Sequence, residues 1–168
     1  MPVFTVRKDT LTGLAGSLIA ERGTVTVAYA LKRSLNTVAA QLVEKLTPAE
    51  SYSFLVNKLG FTLEAPDKDY SAMALGGFHK GVTCREMAEA YQIFGNGGQY
   101  TAAHGVLEIR DHHGNAVYTA DETPRQVIKP ATATIMNYLL QGVVKGNGTG
   151  AGVGKTSVPV AAKTGTGE

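Results

Sequence analysis

The sequence contains a single cysteine, Cys84, which excludes an internal disulfide framework and any metal site built from several thiolates. Charge of one sign is scarce as well. Sixteen Lys and Arg against 14 Asp and Glu leave a net +2, too balanced for the basic footprint of a nucleic-acid binder. Long apolar runs are missing: nothing approaches the ~20 residues of a membrane helix. The start does not read as an export signal either, because Asp9 precedes any apolar stretch and residues 11–20 are broken by Gly13, Gly16 and Ser17. The chain is therefore expected to carry no signal or anchor of its own. What is there is 168 residues, 43% hydrophobic and 18% charged, enough for one ordinary domain or a large piece of one. Twenty glycines stand out, several of them between Gly142 and Gly167.

From Thr24 the pattern turns helical, with Val27, Ala30 and Leu31 on one face. A second stripe runs through Leu35, Val38, Ala39, Leu42, Val43 and Leu46. Ser34-Leu35-Asn36 interrupts the two, so a tight junction between helices is expected there. Thr47-Pro48-Ala49-Glu50 reads as a capping box with proline at the first helical position, followed by a stripe of Tyr52, Leu55, Val56 and Leu59 and a stop at Gly60. Residues 64–74 lack a period and read as a surface connection. Thr83-Cys84-Arg85-Glu86 is another capping box, whose helix carries Met87, Ala90, Tyr91 and Phe94 as its expected core face and stops at Gly95-Asn96-Gly97-Gly98. Residues 106–110 and 116–119 flank Asp111-His112-His113-Gly114-Asn115 as a β-hairpin. A last helix with Ile135, Met136, Leu139, Leu140 and Val143 follows Pro130, and residues 157–163 read as a short buried strand. Helices, a hairpin, a helix and a final strand, without βαβ alternation, point to an α+β fold.

Two short motifs could carry chemistry. In Ser34-Leu35-Asn36 a hydroxyl and a carboxamide on one tight turn can face one cleft, the serine relaying a proton and the asparagine holding an amide. The competing reading is an N-cap pair. Lys163-Thr164-Gly165-Thr166 closes the expected strand, its ammonium and hydroxyls suited to an anionic group and its glycine to a close backbone approach. Either tripeptide alone is also explained as local structure.

Together, and in this order, they resemble the second and third elements of the Ser-x-x-Lys, Ser-Asp-Asn, Lys-Thr-Gly set of penicillin-binding proteins and related β-lactamases. The residues between them strengthen the likeness. Ala74-Leu75-Gly76-Gly77, Gly81-Val82-Thr83, Glu86-Met87-Ala88-Glu89-Ala90-Tyr91 and Asn96-Gly97-Gly98 resemble a continuous run of class A penicillin-binding proteins, and Gly148-Thr149-Gly150-Ala151 resembles the stretch that precedes Lys-Thr-Gly there. The resemblance covers residues 23–166 and implies a penicillin-binding protein/serine β-lactamase-like transpeptidase fold, truncated, with residues 1–22 unassigned and 23–168 a partial transpeptidase domain.

It implies a function as well: a peptidoglycan D,D-transpeptidase that cross-links stem peptides through a serine acyl-enzyme and is trapped by β-lactams. Ser34 would belong to the proton relay, Asn36 would orient the substrate amide, and Lys163 would support the relay. Thr164, Gly165 and Thr166 would bind the terminal carboxylate, with the Thr166 N–H as an oxyanion donor. No cofactor and no metal are implied. The implied partners are stem peptides and β-lactams, with a glycosyltransferase domain and a membrane anchor upstream in the parent protein. Its place would be the extracytoplasmic face of the bacterial cell membrane.

The sequence departs from the family where the chemistry starts. The residues three beyond its serines are Ala20, Thr37, Phe54, Val56, Ala74 and Val160, so it contains no Ser-x-x-Lys. Thr5-Val6-Arg7-Lys8 has the spacing with threonine, in a segment unlike the family. Cys84 stands where the family has proline. The strands that flank the Lys-Thr-Gly strand would come later, leaving it an unpaired edge. The chain is thus expected not to acylate by itself. Two other readings compete: a non-catalytic module that binds peptidoglycan peptides, and a nucleotide-binding loop in residues 148–156, which needs a glycine where Thr149 stands and a strand–loop–helix context. His112 and His113 are expected to point apart into solvent, and His104 has no evident partner.

Overall fold

The structure, a computed structural model, describes residues 3–5, 24–153 and 156–165. Its first helix begins three residues later than the apolar period suggests. Thr24–Thr26 is a strand, β2, paired antiparallel with β1 (Val3–Thr5), and Thr26 then caps helix α1 (Val27–Arg33) by accepting the Tyr29 N–H. Alternation of a buried Val25 between two threonines suits the strand, and the threonine hydroxyl suits the cap. The junction predicted at Ser34 is present: α1 ends there and α2 (Asn36–Leu46) starts two residues on.

The buried face of α2 matches the predicted stripe only in part. Val38 and Ala40 are buried, while Leu42 and Leu46 are 40% and 55% exposed. Ala40 wins because α4 (Tyr70–Leu75) packs there, its Tyr70 hydroxyl donating to the Ala40 carbonyl at 2.7 Å. That helix is itself a correction, since residues 64–74 read as an aperiodic connection. A single turn of 3-10 helix (Ala65–Asp67) and α4 form there instead, each started by an acidic cap rather than by apolar spacing.

Asp67 holds this connection. It is buried at 3% exposure, and its two oxygens accept the backbone N–H of Glu64 at 2.8 Å and of His79 at 2.6 Å. The His79 bond, then the Glu64 bond, keep its carboxyl below the usual aspartate range. In the unfolded chain the carboxyl takes up a proton first, so its contribution is present above the ordinary aspartate pKa of about 3.9 and fades as pH falls further. Asp67→Asn should lower the thermal midpoint at neutral pH, and the gap to the parent should narrow as pH falls below the ordinary aspartate range. An equal gap at neutral pH and below that range would show that the carboxylate charge is not what holds the loop.

Helix α3 (Pro48–Leu59) starts as predicted, with Pro48 in its first turn and Thr47 accepting the Glu50 N–H, and Gly60 ends it in the left-handed region. Helix α5 (Cys84–Gly95) has the full reciprocal box between Thr83 and Glu86, which starts the helix without the family's proline. Its buried residues are Glu86, Glu89, Ala90 and Ile93, whereas Met87 and Tyr91, expected in the core, are 39% and 37% exposed. Leu59, Phe61, Ala90, Ile93 and Tyr100 form the larger core cluster, and Val25, Ala30 and Val38 a smaller one beneath the α1–α2 junction. Tyr100 reaches from β3 (Gln99–Tyr100) to donate its hydroxyl to Glu89 at 2.9 Å, so the buried acid is partnered.

The predicted hairpin is present as β4 (Glu108–Arg110) and β5 (Ala116–Thr119), and Asp111 closes its loop by accepting the N–H groups of His113 and Asn115. His112 and His113 do not point apart; their rings lie 3.7 Å apart on the turn, where strand alternation no longer applies. His104 has a partner after all, Glu122 at 3.7 Å. Strand β6 (Arg125–Gln126) pairs with β3 and leads into α6 (Pro130–Val143). In α6 the buried positions are Ala133, Leu140 and Val143, and Ile135 is 60% exposed.

The last prediction fails for a clear reason. Residues 157–163 are not a strand among the described residues. No described backbone lies beside them to form a ladder, and a strand without a partner leaves its N–H and C=O groups to solvent. Ala162 N–H instead reaches the Leu140 carbonyl of α6 at 3.5 Å.

Candidate active site

The site is assembled at the α1–α2 junction. Ser34 sits at the end of α1 with φ 54° and ψ 50°, a left-handed conformation that costs a non-glycine residue on the order of 1 kcal/mol. Leu35, not Ser34, is the N-cap residue of α2, and it makes no side-chain cap bond. Asn36 is already the first residue of α2. The cap-pair explanation is therefore removed: neither the hydroxyl nor the carboxamide serves as the cap of α2.

Across the chain, Lys163 Nζ donates to Ser34 Oγ at 2.7 Å, bringing together residues 129 positions apart. A second N–H of the same ammonium reaches the Thr164 carbonyl at 2.8 Å. Lys163 is half-buried, and burial lowers its pKa from the ordinary lysine value. A lysine so placed exchanges a proton more readily, and the Ser34 hydroxyl can pass one between it and a group entering the cleft. Lys32 and Arg33 occupy the last turn of α1, and the carbonyl end of that helix favours cations.

Of the other predicted residues, Thr164 is half-buried and its hydroxyl lies 2.7 Å from that of Thr149. Gly165 is exposed, and a Cβ there would meet nothing within 4 Å, so the backbone beside it is open to a ligand. Thr166 lies outside the described residues. The structure thus brings Ser34, Lys163 and Thr164 to one place, with Asn36 two residues from Ser34. A groove of about 510 Å³ between α5, α6 and residues 159–161 is lined by Tyr91, Phe94, Asn137, Leu140 and Gln141 among others. It includes none of the Ser-Leu-Asn or Lys-Thr-Gly residues and is separate from the site.

Sequence reading passed over Thr149. The signal was present as a threonine between two glycines, but its meaning depends on contacts made far along the chain. The nucleotide-loop reading of residues 148–156 fares poorly on context: helix α6, not a strand, leads into it, and no helix follows among the described residues.

The arrangement of helices and small sheets has counterparts in solved proteins. The D,D-transpeptidase domain of a peptidoglycan glycosyltransferase from Eggerthella lenta superposes with a TM-score of 0.65 at 24% identity, over 89% of this chain and 43% of that one. PBPA from Mycobacterium tuberculosis gives 0.67 at 19% identity, over 99% and 41%. These likenesses show the fold, that of a penicillin-binding transpeptidase domain. In sequence, the family model for the penicillin binding protein transpeptidase domain matches residues 17–168. Penicillin-binding protein 1A of Clostridium botulinum is 35% identical over 145 residues, 86% of this chain and 17% of that protein. Penicillin-binding protein 4 of Bacillus subtilis is 34% identical over 145 residues, 86% and 23%. The chain belongs to the penicillin-binding protein transpeptidase domain family, with class A proteins among its relatives. It spans between 17% and 23% of the length of these two curated relatives.

Proposed function

We propose that this chain forms part of a peptidoglycan D,D-transpeptidase domain and supplies one wall of its cleft. The observation that carries the reading is the 2.7 Å contact between Lys163 Nζ and Ser34 Oγ, made by the two motifs that the family places in its active site. In the complete domain a nucleophilic serine attacks the carbonyl of the penultimate D-alanine of a stem peptide. The terminal D-alanine leaves as an amine and takes a proton. An amine of a neighbouring strand then displaces the serine and completes the cross-link. Ser34 and Lys163 deliver the proton to the leaving amine, and the Asn36 carboxamide aligns the peptide amide. Thr164, Gly165 and Thr166 are assigned to binding the terminal carboxylate, which a β-lactam carboxylate imitates. The parent protein works at the extracytoplasmic face of the bacterial membrane beside a glycosyltransferase domain. Among the described residues no helix is long and apolar enough to cross a membrane.

The 168 residues contain no Ser-x-x-Lys, so the polypeptide by itself has the relay without the nucleophile. Incubated with a fluorescent penicillin, it should show no mass increase by intact-mass spectrometry while circular dichroism reports it folded. A stoichiometric adduct would overturn the claim of inactivity, and the modified residue would identify the nucleophile. That same missing motif favours a second reading, a non-catalytic module for peptidoglycan peptides. Saturable binding of a D-Ala-D-Ala peptide, with the parent protein unable to cross-link, would support that reading over the first.

A further inference from the structure

The Ser-Leu-Asn turn and the Lys-Thr-Gly segment are far apart in sequence, and the Lys163–Ser34 contact is one link between them. A second runs through Thr149. Its N–H donates to the carbonyl of Lys32, two residues before Ser34, at 3.3 Å. Its hydroxyl lies 2.7 Å from the hydroxyl of Thr164, the residue after Lys163. Arg33 ties the same loop down, donating from Nη1 to the Asn147 carbonyl at 2.5 Å.

The glycines on either side explain how one threonine can reach both. The Gly148 backbone lies so close to the end of α6 that a Cβ would overlap the Val143 carbonyl oxygen. Gly150 donates its N–H to that carbonyl at 3.0 Å, and a Cβ on it would meet Val144 Cγ1 tightly at 3.3 Å and Thr164 Cγ2 in ordinary contact at 3.5 Å. A side chain at Gly148 would lift the loop from α6, whereas one at Gly150 would need Val144 to give by a few tenths of an ångström. Thr149 itself is exposed, so packing in a core does not explain its type. What its side chain does in this structure is hydrogen-bond Thr164.

We propose that Thr149 is a positioning residue: it bridges the end of α1 to Thr164 and so holds Lys163 in register with Ser34 and turns the Thr164 hydroxyl towards the cleft. This deepens the functional reading above and rests on it. Without the bridge, the hydrogen bonds that remain to segment 163–165 among the described residues are the lysine's own. It then moves outward, Lys163 becomes more solvated, and the carboxylate site loses its set hydroxyl. Serine at 149 keeps the bridge; valine keeps the shape and removes it; alanine removes both.

The test uses the whole 168-residue chain with side-chain NMR titration of Lys163 and binding of diacetyl-L-Lys-D-Ala-D-Ala. Thr149→Val and Thr149→Ala should raise the Lys163 midpoint towards that of ordinary lysine, because the ammonium becomes more solvated. They should also weaken the peptide about fivefold or more, while Thr149→Ser stays within about twofold of the parent in both readouts. The alanine variant, at an exposed position, guards against misfolding of the valine one. An unchanged Lys163 midpoint in folded Thr149→Val or Thr149→Ala would overturn the proposal. If the parent chain does not bind the peptide at all, the functional reading of the cleft fails, and the Lys163 titration still decides the role of Thr149.

Discussion

Gly98→Ala should be among the most damaging single substitutions in this chain, lowering its stability by roughly 3–4 kcal/mol. Gly98 has a φ of +89°, and its N–H donates to the Ile93 carbonyl at 2.8 Å as α5 ends. Its carbonyl accepts from Val127 at 3.0 Å and Ile128 at 3.3 Å, just before α6. A Cβ there would overlap the Ile128 carbonyl oxygen and stand 2.8 Å from Gln126 Nε2 and 2.9 Å from Ile128 Cγ1. Gln126 could move, but the Ile128 backbone is held by its bond to Gly98. The left-handed conformation contributes about 1 kcal/mol of the cost and the backbone overlap the rest. Gly97 is the internal control, with φ +74° and nothing within 4 Å of a Cβ. Gly97→Ala should cost only the conformational part. Thermal or urea unfolding of the two variants gives the answer, and equal losses would refute the packing argument.

The second large effect is expected at Glu86, buried at 6% exposure at the start of α5. One carboxylate oxygen accepts the Thr62 N–H at 2.8 Å; the other accepts the N–H and hydroxyl of Thr83 at 2.8 and 2.7 Å. The bonds from Thr83, then that from Thr62, outweigh burial and bring its pKa down to about 2. Removing the carboxylate leaves part-buried donors of two segments without their partner and a gap beside α5, so Glu86→Ala should cost about 2–3 kcal/mol. Glu86→Gln should cost about half as much, because the amide keeps one acceptor but turns an N–H towards a donor.

The pH dependence follows from the direction of the shift. As pH falls below about 4.5, the unfolded carboxyl binds a proton while the folded one resists until about pH 2. The stabilisation is therefore full above pH ~4.5 and is lost as pH falls towards 2. The stability gap between parent and Glu86→Gln should close over that interval, as measured by urea unfolding at several pH values. A constant gap would mean that shape, not charge, explains the loss.

Both sites were partly legible in the chain. Thr83-Cys84-Arg85-Glu86 announces its cap because the bonds of a capping box are local: hydroxyl and carboxylate reach N–H groups three residues away. The third bond, to Thr62, joins segments 24 residues apart and has no local sign. Likewise Gly95-Asn96-Gly97-Gly98 marks a turn, but which of its last two glycines tolerates a side chain depends on where Ile128 lies.

Apolar stripes succeeded only in part, for a related reason. Periodicity identified α2, α5 and α6 as helices and part of the face each one buries, Val38, Ala90, Leu140 and Val143 among it. In α2 the contact with Tyr70 turns Ala40 inward and leaves Leu42 out. In α5 the carboxylates of Glu86 and Glu89 are buried because Thr83, Thr62, Tyr100 and Ala103 supply their donors. A sequence pattern scores such residues as surface, because burial of a charge becomes tolerable only when distant partners arrive.

Sequence alone determined what is written in local bonds and short patterns: the caps of α3 and α5, the left-handed stop at Gly60, the Asp111 hairpin loop, and the two motifs that place the chain in its family. The tertiary structure decided that Ser34 and Asn36 are not the caps of α2 and that Lys163 meets Ser34. It also decided that Thr149 spans both motifs, and that residues 157–163 remain without a ladder. Local bonds form between residues a few positions apart, whose geometry the backbone fixes. The others join groups brought together only when the helices pack, and a strand exists only beside another strand.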